Sequence, residues 1–372
     1  DSMVGQGTGR GETGVAGRVQ TSFTFIKQIV IDAIQENPGS EIASITFDTF
    51  GFSRGAAAAR HFSNEVVRGK QGPLAELLIS HEADFSRTFV AQYGSGITMG
   101  FIGLFDTVPS IAGFTNFGRV KSPIAPGVKL YLDRRFFKDV VHLVARDECR
   151  ANFALSRVKP DHPEYSCPGV HSDIGGSYLD QVEECVLISP MQTLEVSFNT
   201  DVTSTSIYRD AAKVKNQWIA NGWPAHLLEI VTPEAFDIPM DHQDRLGPKQ
   251  KRVYAGLQLK RPVSGKLSTV YLKLMHQLAR EKGVPFTDIP ARAEYAVPSE
   301  LQGLYDKFLT GNYVTTPEEE QLLRRKYIHT SANWNHPLGR RDGSGLRAVY
   351  INAPTENGVR VQHPHVADWK LW

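Results

Sequence analysis

The stretch IASITFDTFGFSRGAAAAR, residues 42–60, combines three local signals in one short segment. Ile42 to Phe50 is rich in β-branched and aromatic residues, which predicts a β-strand. Ala56 to Val67 opens with a run of alanines and predicts a helix. Only Gly51–Gly55 separates them, so the chain must turn sharply between strand and helix. This succession is typical of an α/β fold.

The turn Gly51-Phe52-Ser53-Arg54-Gly55 matches the pattern Gly-x-Ser-x-Gly. In enzymes that use this turn, the serine occupies a strained corner at a helix N-terminus, where backbone N–H groups favour developing negative charge. The flanking glycines are expected to remove Cβ atoms that would collide there. Ser53 is therefore the candidate nucleophile, and the backbone amide of Arg54 is the candidate oxyanion-hole donor. The alternative is a chance match in a chain with 32 glycines.

Helix and strand signals alternate around and beyond this turn. Apolar residues at three- and four-residue steps predict a helix over Phe23–Ile34, and Ile97–Phe105 predicts a buried strand. Phe136–Val158 has helical spacing, and Tyr165–Val170 predicts another short strand. We therefore expect an α/β-hydrolase-like fold, with a mainly parallel sheet and helices on both faces.

The pattern of predicted elements changes after about residue 236. Helix-like segments of mixed charge follow, together with a candidate edge strand near the end: Leu267–Lys282, Pro298–Leu309, Pro317–Tyr327 and Val349–Asn352. We predict two parts, a catalytic core over residues 1–235 and a mostly helical cap or membrane-contacting subdomain over residues 236–372.

A serine hydroxyl becomes a useful nucleophile when a histidine takes its proton and a carboxylate orients that histidine. In α/β-hydrolases the chain order is serine, acid, histidine, with the members at strand ends. Asp106 directly follows the apolar run that ends at Phe105, so we expect it at the same sheet edge as Ser53. Asp106 is therefore the candidate orienting acid, the alternative being a turn-forming Asp in Asp-Thr-Val-Pro.

His171 is the candidate general base, because it follows a predicted strand and precedes the Gly175–Gly176 pair. Among 12 histidines its main rival is His329, in a predicted loop beyond a helix. Asp173 is an alternative acid, although its place two residues after His171 favours a role in shaping that loop. The segment Asp147-Glu148-Cys149-Arg150, predicted to be helical, favours an internal ion pair over an ion-binding site.

Composition excludes several classes of protein. Lys and Arg total 41 against 40 Asp and Glu, a formal net charge of +1, which argues against a strongly basic nucleic-acid binder. No run approaches the ~18 consecutive apolar residues of a membrane span, and no signal-peptide pattern opens the sequence. The three cysteines show no metal-ligand spacing, so we expect neither a metal nor a cofactor.

Four segments together resemble the type VI secretion phospholipase effectors of the first lipase-effector family, which carry an α/β-hydrolase module. They are GFSRGAAAAR at 51–60, GLFDTV at 103–108, RDECR at 146–150 and GVHSDIGG at 169–176. The resemblance covers residues 40–180 well. It implies that Ser53, Asp106 and His171 form a catalytic triad.

The resemblance also implies a biological setting. Such effectors are antibacterial toxins, made in the cytoplasm and delivered by type VI secretion to the periplasm or membrane surface of a rival cell, where they hydrolyse membrane phospholipids. A secretion spike protein and an immunity protein are the implied partners. Family members begin with a strand and an Asp-Gly-Thr-type loop that supplies a second oxyanion amide, and we expect that strand to precede residue 1.

The sequence therefore predicts a serine phospholipase A. Ser53 attacks the acyl ester of a membrane glycerophospholipid, His171 moves the proton, and Asp106 orients His171. Two alternatives stay open at this point. One is a soluble serine carboxylesterase or thioesterase on the same fold, and the other is a non-catalytic binding module that retains the turn.

Overall fold

A computed structural model of the chain describes residues 14–109, 127–238, 248–335, 337–338 and 349–367. In the first half the elements are, in chain order, helix α1 (Val15–Glu36), strand β1 (Ile45–Phe52), helices α2 (Arg54–Val66) and α3 (Ala75–Ser80), strands β2 (Ile97–Phe105), β3 (Val140–Ala145), β4 (Leu155–Ser156) and β5 (Glu164–Cys167), and helix α4 (His171–Gly175).

The second half continues with strands β6 (Val182–Leu187) and β7 (Gln192–Ser197), helix α5 (Ser206–Ala220), strands β8 (Leu228–Val231), β9 (Phe236–Asp237) and β10 (Gln250–Val263), helices α6 (Leu267–Glu281), α7 (Gln302–Leu309) and α8 (Pro317–Lys326), and the short strands β11 (Pro337–Leu338), β12 (Val349–Tyr350) and β13 (Gln362–His363). No helix of the described residues is long and apolar enough to cross a membrane.

The first sheet consists of four parallel strands in the order β1-β2-β3-β5. Its register aligns Phe52 with Phe105, and Phe105 with Leu143. The carboxyl ends of these three strands therefore meet at one edge of the sheet. In doubly covered parallel sheets this edge is where ligands bind.

Helices cover both faces of the parallel sheet, as predicted. Ile102 and Leu104 pack with Ala56 of α2, whereas Phe101 packs in the larger core formed with α6, α7 and α8. Because successive residues of a strand point to opposite faces, α2 and α6 lie on opposite sides of the sheet. The predicted strand Ile97–Phe105 is confirmed residue for residue.

The helix predicted for residues 136–158 is wrong. Val140–Ala145 instead forms β3, which pairs with β2 and β5 and is buried at every position. A parallel strand covered on both faces is apolar along its whole length, so apolar residues also fall at helical spacing within it. The β-branched residues Val140, Val141 and Val144 favour the strand.

The second sheet is not predicted from the sequence. Its five strands are antiparallel and are organised around β10, which pairs with β6, β7, β8 and β9. The expectation of one mainly parallel sheet is therefore corrected to a mixed α/β architecture. Every second residue of β10 from Val253 to Val263 is buried, which is the period of a half-buried strand. Arg261 is one of these buried residues, and its charge interrupts the alternation of apolar and polar residues in the sequence.

Pairing within this sheet also crosses the predicted domain boundary. Strands β6, β7 and β8 precede residue 235, whereas β10 follows it. The region after residue 236 is thus not mostly helical at its start, although α6, α7 and α8 confirm the three predicted helices. Of the predicted edge strand over residues 349–352, Val349–Tyr350 forms β12, which pairs with β11.

The final described segment forms a separate two-stranded sheet with β4. Strand β13 pairs in parallel with β4, where the Leu155 N–H donates to the Val361 carbonyl at 2.9 Å and the Arg157 N–H to the His363 carbonyl at 3.0 Å. This pairing accompanies the approach of Arg360 to Asp106, which directly follows β2.

Candidate active site

Ser53 occupies the corner between β1 and α2, with φ 58° and ψ −121°. A non-glycine residue in this region is strained and persists only where its surroundings fix it. The Ser53 N–H donates to the Phe105 carbonyl at 3.0 Å, and the Ser53 carbonyl accepts from the Ala56 and Ala57 N–H groups at 3.1 and 3.2 Å. Arg54 begins α2, so its amide lies at the positive end of the helix dipole.

At only one of the two glycines of this turn would a side chain collide with the backbone. A Cβ on Gly51 would lie 2.1 Å from the Gly55 carbonyl oxygen, whereas a Cβ on Gly55 would meet nothing within 4 Å. The expectation that both glycines relieve a collision is therefore correct for Gly51 and wrong for Gly55.

This difference gives a matched pair of variants. Gly51→Ala is expected to lower the free energy of unfolding by about 3 kcal/mol, since the backbone of α2 has to shift to admit the methyl group. Gly55→Ala adds the same methyl group in a helix and is expected to leave stability unchanged or raise it by up to about 1 kcal/mol. Urea unfolding of both variants measures this, and equal destabilisation would contradict it.

Asp106 directly follows β2 and also has a positive φ, 45°. Its side chain is fully buried, and its N–H donates to the Leu143 carbonyl at 2.8 Å. Because β1 and β2 are paired neighbours that end together, Ser53 and Asp106 lie at adjacent strand ends.

His171, the first residue of α4, contacts Asp106. The imidazole Nδ1 lies 2.5 Å from Asp106 Oδ2, and both side chains are buried. With Nδ1–H donated to the carboxylate, Nε2 is the nitrogen that can accept a proton. The Asp–His half of the predicted arrangement is thus present.

Two aromatic rings enclose the His171 imidazole. The ring centroids of Phe52 and Phe153 lie 4.5 and 5.0 Å from that of His171. The Phe52 ring also lies over Gly175, where a Cβ would be 2.2 Å from it. Since Phe52 immediately precedes Ser53, the serine turn and the histidine helix are in direct contact at this edge.

Arg360 is a site residue that the sequence analysis does not identify. Its Nη1 and Nη2 donate to Asp106 Oδ1 and Oδ2 at 2.7 and 2.8 Å, and both side chains are buried. Burial alone would raise the pKa of Asp106, but Arg360 and His171 outweigh burial and hold that pKa well below its usual range. No local motif could reveal Arg360, because 254 residues separate it from Asp106.

The rival pair, Asp173 and His329, contact each other. His329 Nδ1 lies 2.7 Å from Asp173 Oδ1, and Tyr178 stacks on the His329 ring at 3.6 Å. Asp173 Oδ2 also accepts the Val170 N–H at 2.9 Å, at the start of α4. Burial raises the pKa of Asp173 although His329 opposes the shift. Asp173 thus shapes the loop that carries His171, as its position suggests.

Glu148 and Arg150 form the predicted internal ion pair at 2.8 Å, but in a loop rather than on a helix. Glu148 Oε2 accepts the His171 N–H at 3.2 Å. Burial would raise the pKa of Glu148, but Arg150 outweighs it and the pKa is lowered. The charged carboxylate therefore anchors the backbone of His171. Within the described ranges, no group of three or more His, Cys, Asp or Glu side chains could hold a metal ion.

Comparison with known proteins adds independent information. Residues 70–207, which include Asp106 and His171 but not Ser53, match the family model described as T6SS, Phospholipase effector Tle1-like, catalytic domain. A solved structure described as the Tle1 effector bound to the VgrG spike from the Type 6 secretion system is 31% identical. That match covers 94% of this chain and 73% of the other, with a TM-score of 0.78.

The other comparisons contribute no argument. A crystal structure of an uncharacterized protein from Pseudomonas aeruginosa is 21% identical over 83% of this chain and 34% of that one, with a TM-score of only 0.35. No curated protein matches.

The mixed α/β fold and its parallel sheet are thus those of a type VI secretion phospholipase effector. Within that class, the chain belongs to the Tle1-like family. This confirms the family resemblance inferred from the four sequence segments.

Proposed function

We propose that this protein is a serine phospholipase A that hydrolyses acyl esters of membrane glycerophospholipids. The observation that carries the proposal is the buried Asp106–His171 contact at the sheet edge where Ser53 occupies its strained corner. An α/β-hydrolase-like core, with the serine at the carboxyl edge of a parallel sheet, is part of the same proposal. Membership of a phospholipase effector family supports the choice of substrate.

In the proposed mechanism, Ser53 Oγ attacks the ester carbonyl carbon while His171 Nε2 accepts the hydroxyl proton. The Arg54 amide and the N-terminus of α2 stabilise the oxyanion of the tetrahedral intermediate. His171 then returns the proton to the leaving lysolipid oxygen, which leaves an acyl group on Ser53. A water molecule, deprotonated by His171, then attacks the acyl carbon, and His171 returns the proton to Ser53 Oγ as the fatty acid is released. Asp106 orients the ring and stabilises the imidazolium throughout.

The biological setting is proposed by family. The solved Tle1 effector is bound to a VgrG spike. We infer that this chain also reaches a rival cell on a spike protein, acts at the periplasm or membrane surface, and is neutralised by an immunity protein in the cell that makes it. A membrane-contacting role for the part after residue 236 stays a prediction.

The experiment uses vesicles of phosphatidylethanolamine and phosphatidylglycerol with different acyl chains at the sn-1 and sn-2 positions. Mass spectrometry of the released fatty acid and lysolipid is expected to show hydrolysis by the wild type and not by Ser53→Ala. The acyl chain released identifies the ester that is cut.

A soluble short-chain ester and a thioester are assayed in parallel. Hydrolysis of these alone, with intact vesicles, would replace the proposal by a soluble esterase or thioesterase. Vesicle binding without hydrolysis of any ester would indicate a binding module.

A further inference from the structure

The Asp106 carboxylate is held by more donors than His171 alone. Oδ2 receives His171 Nδ1 at 2.5 Å and Arg360 Nη2 at 2.8 Å. Oδ1 receives Arg360 Nη1 at 2.7 Å and the Ala145 N–H at 2.9 Å. Four donors fix the plane of the carboxylate, and the fork of a guanidinium matches both oxygens in a way that a lysine ammonium does not.

We propose that Arg360 is a positioning residue of the hydrolytic site, which orients the Asp106 carboxylate towards His171. This inference rests on the proposed function. It concerns a residue that neither the Gly-x-Ser-x-Gly turn nor the Asp–His contact implies.

Arg360 is itself held in place. Its Nε donates to the Phe153 carbonyl at 2.6 Å, and the Phe153 ring packs on His171. The backbone beside it is tied by the bond from the Leu155 N–H to the Val361 carbonyl at 2.9 Å. These hydrogen bonds hold Arg360 in position against Asp106. The segment that carries Arg360 therefore contributes a side chain to the site.

A cavity adjoins Arg360. It has a volume of about 520 Å³ and is lined by Arg360, Arg146, Arg157 and Lys159 among others. Truncation of Arg360 would extend this cavity towards Asp106. The space left by the side chain should therefore admit a small guanidinium ion from solution.

The test compares Arg360→Ala and Arg360→Lys with the wild type, using a soluble ester. Arg157→Ala is the matched control, because Arg157 lines the same cavity but pairs with Glu164. Arg360→Ala is expected to lower kcat about 100-fold with little change in KM. Ethylguanidinium should restore part of kcat.

Arg360→Lys keeps the positive charge but lacks the pair of guanidinium N–H groups that bind both oxygens of Asp106. It should lose about tenfold in kcat. An unchanged kcat in Arg360→Lys would overturn the orienting role, even if Arg360→Ala does not fold. A folded Arg360→Ala with a reduced kcat that ethylguanidinium does not restore would indicate a structural role only.

Failure of this proposal is distinguishable from failure of the proposed function. If Ser53→Ala still hydrolyses the ester, the serine mechanism is wrong whatever the Arg360 variants do. If Ser53→Ala is inactive while the Arg360 variants match the wild type, only the role of Arg360 is rejected.

Discussion

Replacing Ser53 by alanine is expected to lower the rate of ester hydrolysis by about 10⁶-fold, since the hydroxyl forms the bond to the acyl carbon. The fold should not change. Alanine meets the same backbone strain as serine at φ 58°, and the bonds that fix the corner are made by the Ser53 backbone. Near-normal thermal unfolding together with lost activity is the expected combination.

The matched control is Ser44→Ala, which removes an exposed hydroxyl just before β1. It is expected to keep wild-type rates. Initial rates on a fluorogenic ester and on vesicles measure both variants. A rate for Ser53→Ala within tenfold of the wild type would mean that another group attacks the ester.

The second large effect is expected from Asp106→Asn. An amide does not hold His171 in the required tautomer, so kcat should fall about 10⁴-fold. The variant also leaves the buried Arg360 without its anion, which should lower the free energy of unfolding by about 3 to 5 kcal/mol. Because the pKa of Asp106 is lowered, the stability that its charge supplies is present above the ordinary carboxyl pKa and is lost only as the pH falls below it.

Two further variants separate these effects. Asp161→Asn alters another Asp–His contact, between Asp161 Oδ2 and His365 Nδ1 at 2.7 Å, and should leave kcat unchanged. The double variant Asp106→Asn/Arg360→Met removes both buried charges, so it should regain stability but not activity. Kinetics and urea unfolding of the set measure both quantities. Recovery of activity in the double variant would contradict the orienting role of Asp106.

The sequence predicts the serine corner well because its signal is local. Strand, turn and helix follow one another over residues 42–67, and the required Gly51 lies within the motif. Asp106 and His171 are predicted from chain order and strand ends, and the structure places them in contact at the expected sheet edge. Parallel pairing of strands brings such ends together whatever their separation in the sequence.

The features that escape prediction depend on tertiary context. Strand β3 has an apolar run that helical spacing also fits, and only burial on both faces selects the strand. Strand β10 carries buried Arg261, whose charge is balanced by Glu184 at 2.8 Å. Arg360 approaches Asp106 only because the last segment pairs with β4. None of these partners is near in sequence.

The most direct test of the central claim, that Ser53 is the nucleophile, is covalent labelling of the folded wild type with a fluorophosphonate, followed by peptide mass spectrometry. The account predicts a single adduct on the peptide that contains Ser53. It also predicts that hydrolytic activity falls in step with labelling, and that Ser53→Ala takes up no label. Loss of activity with the adduct on another residue, or full activity in protein labelled completely at Ser53, would contradict it.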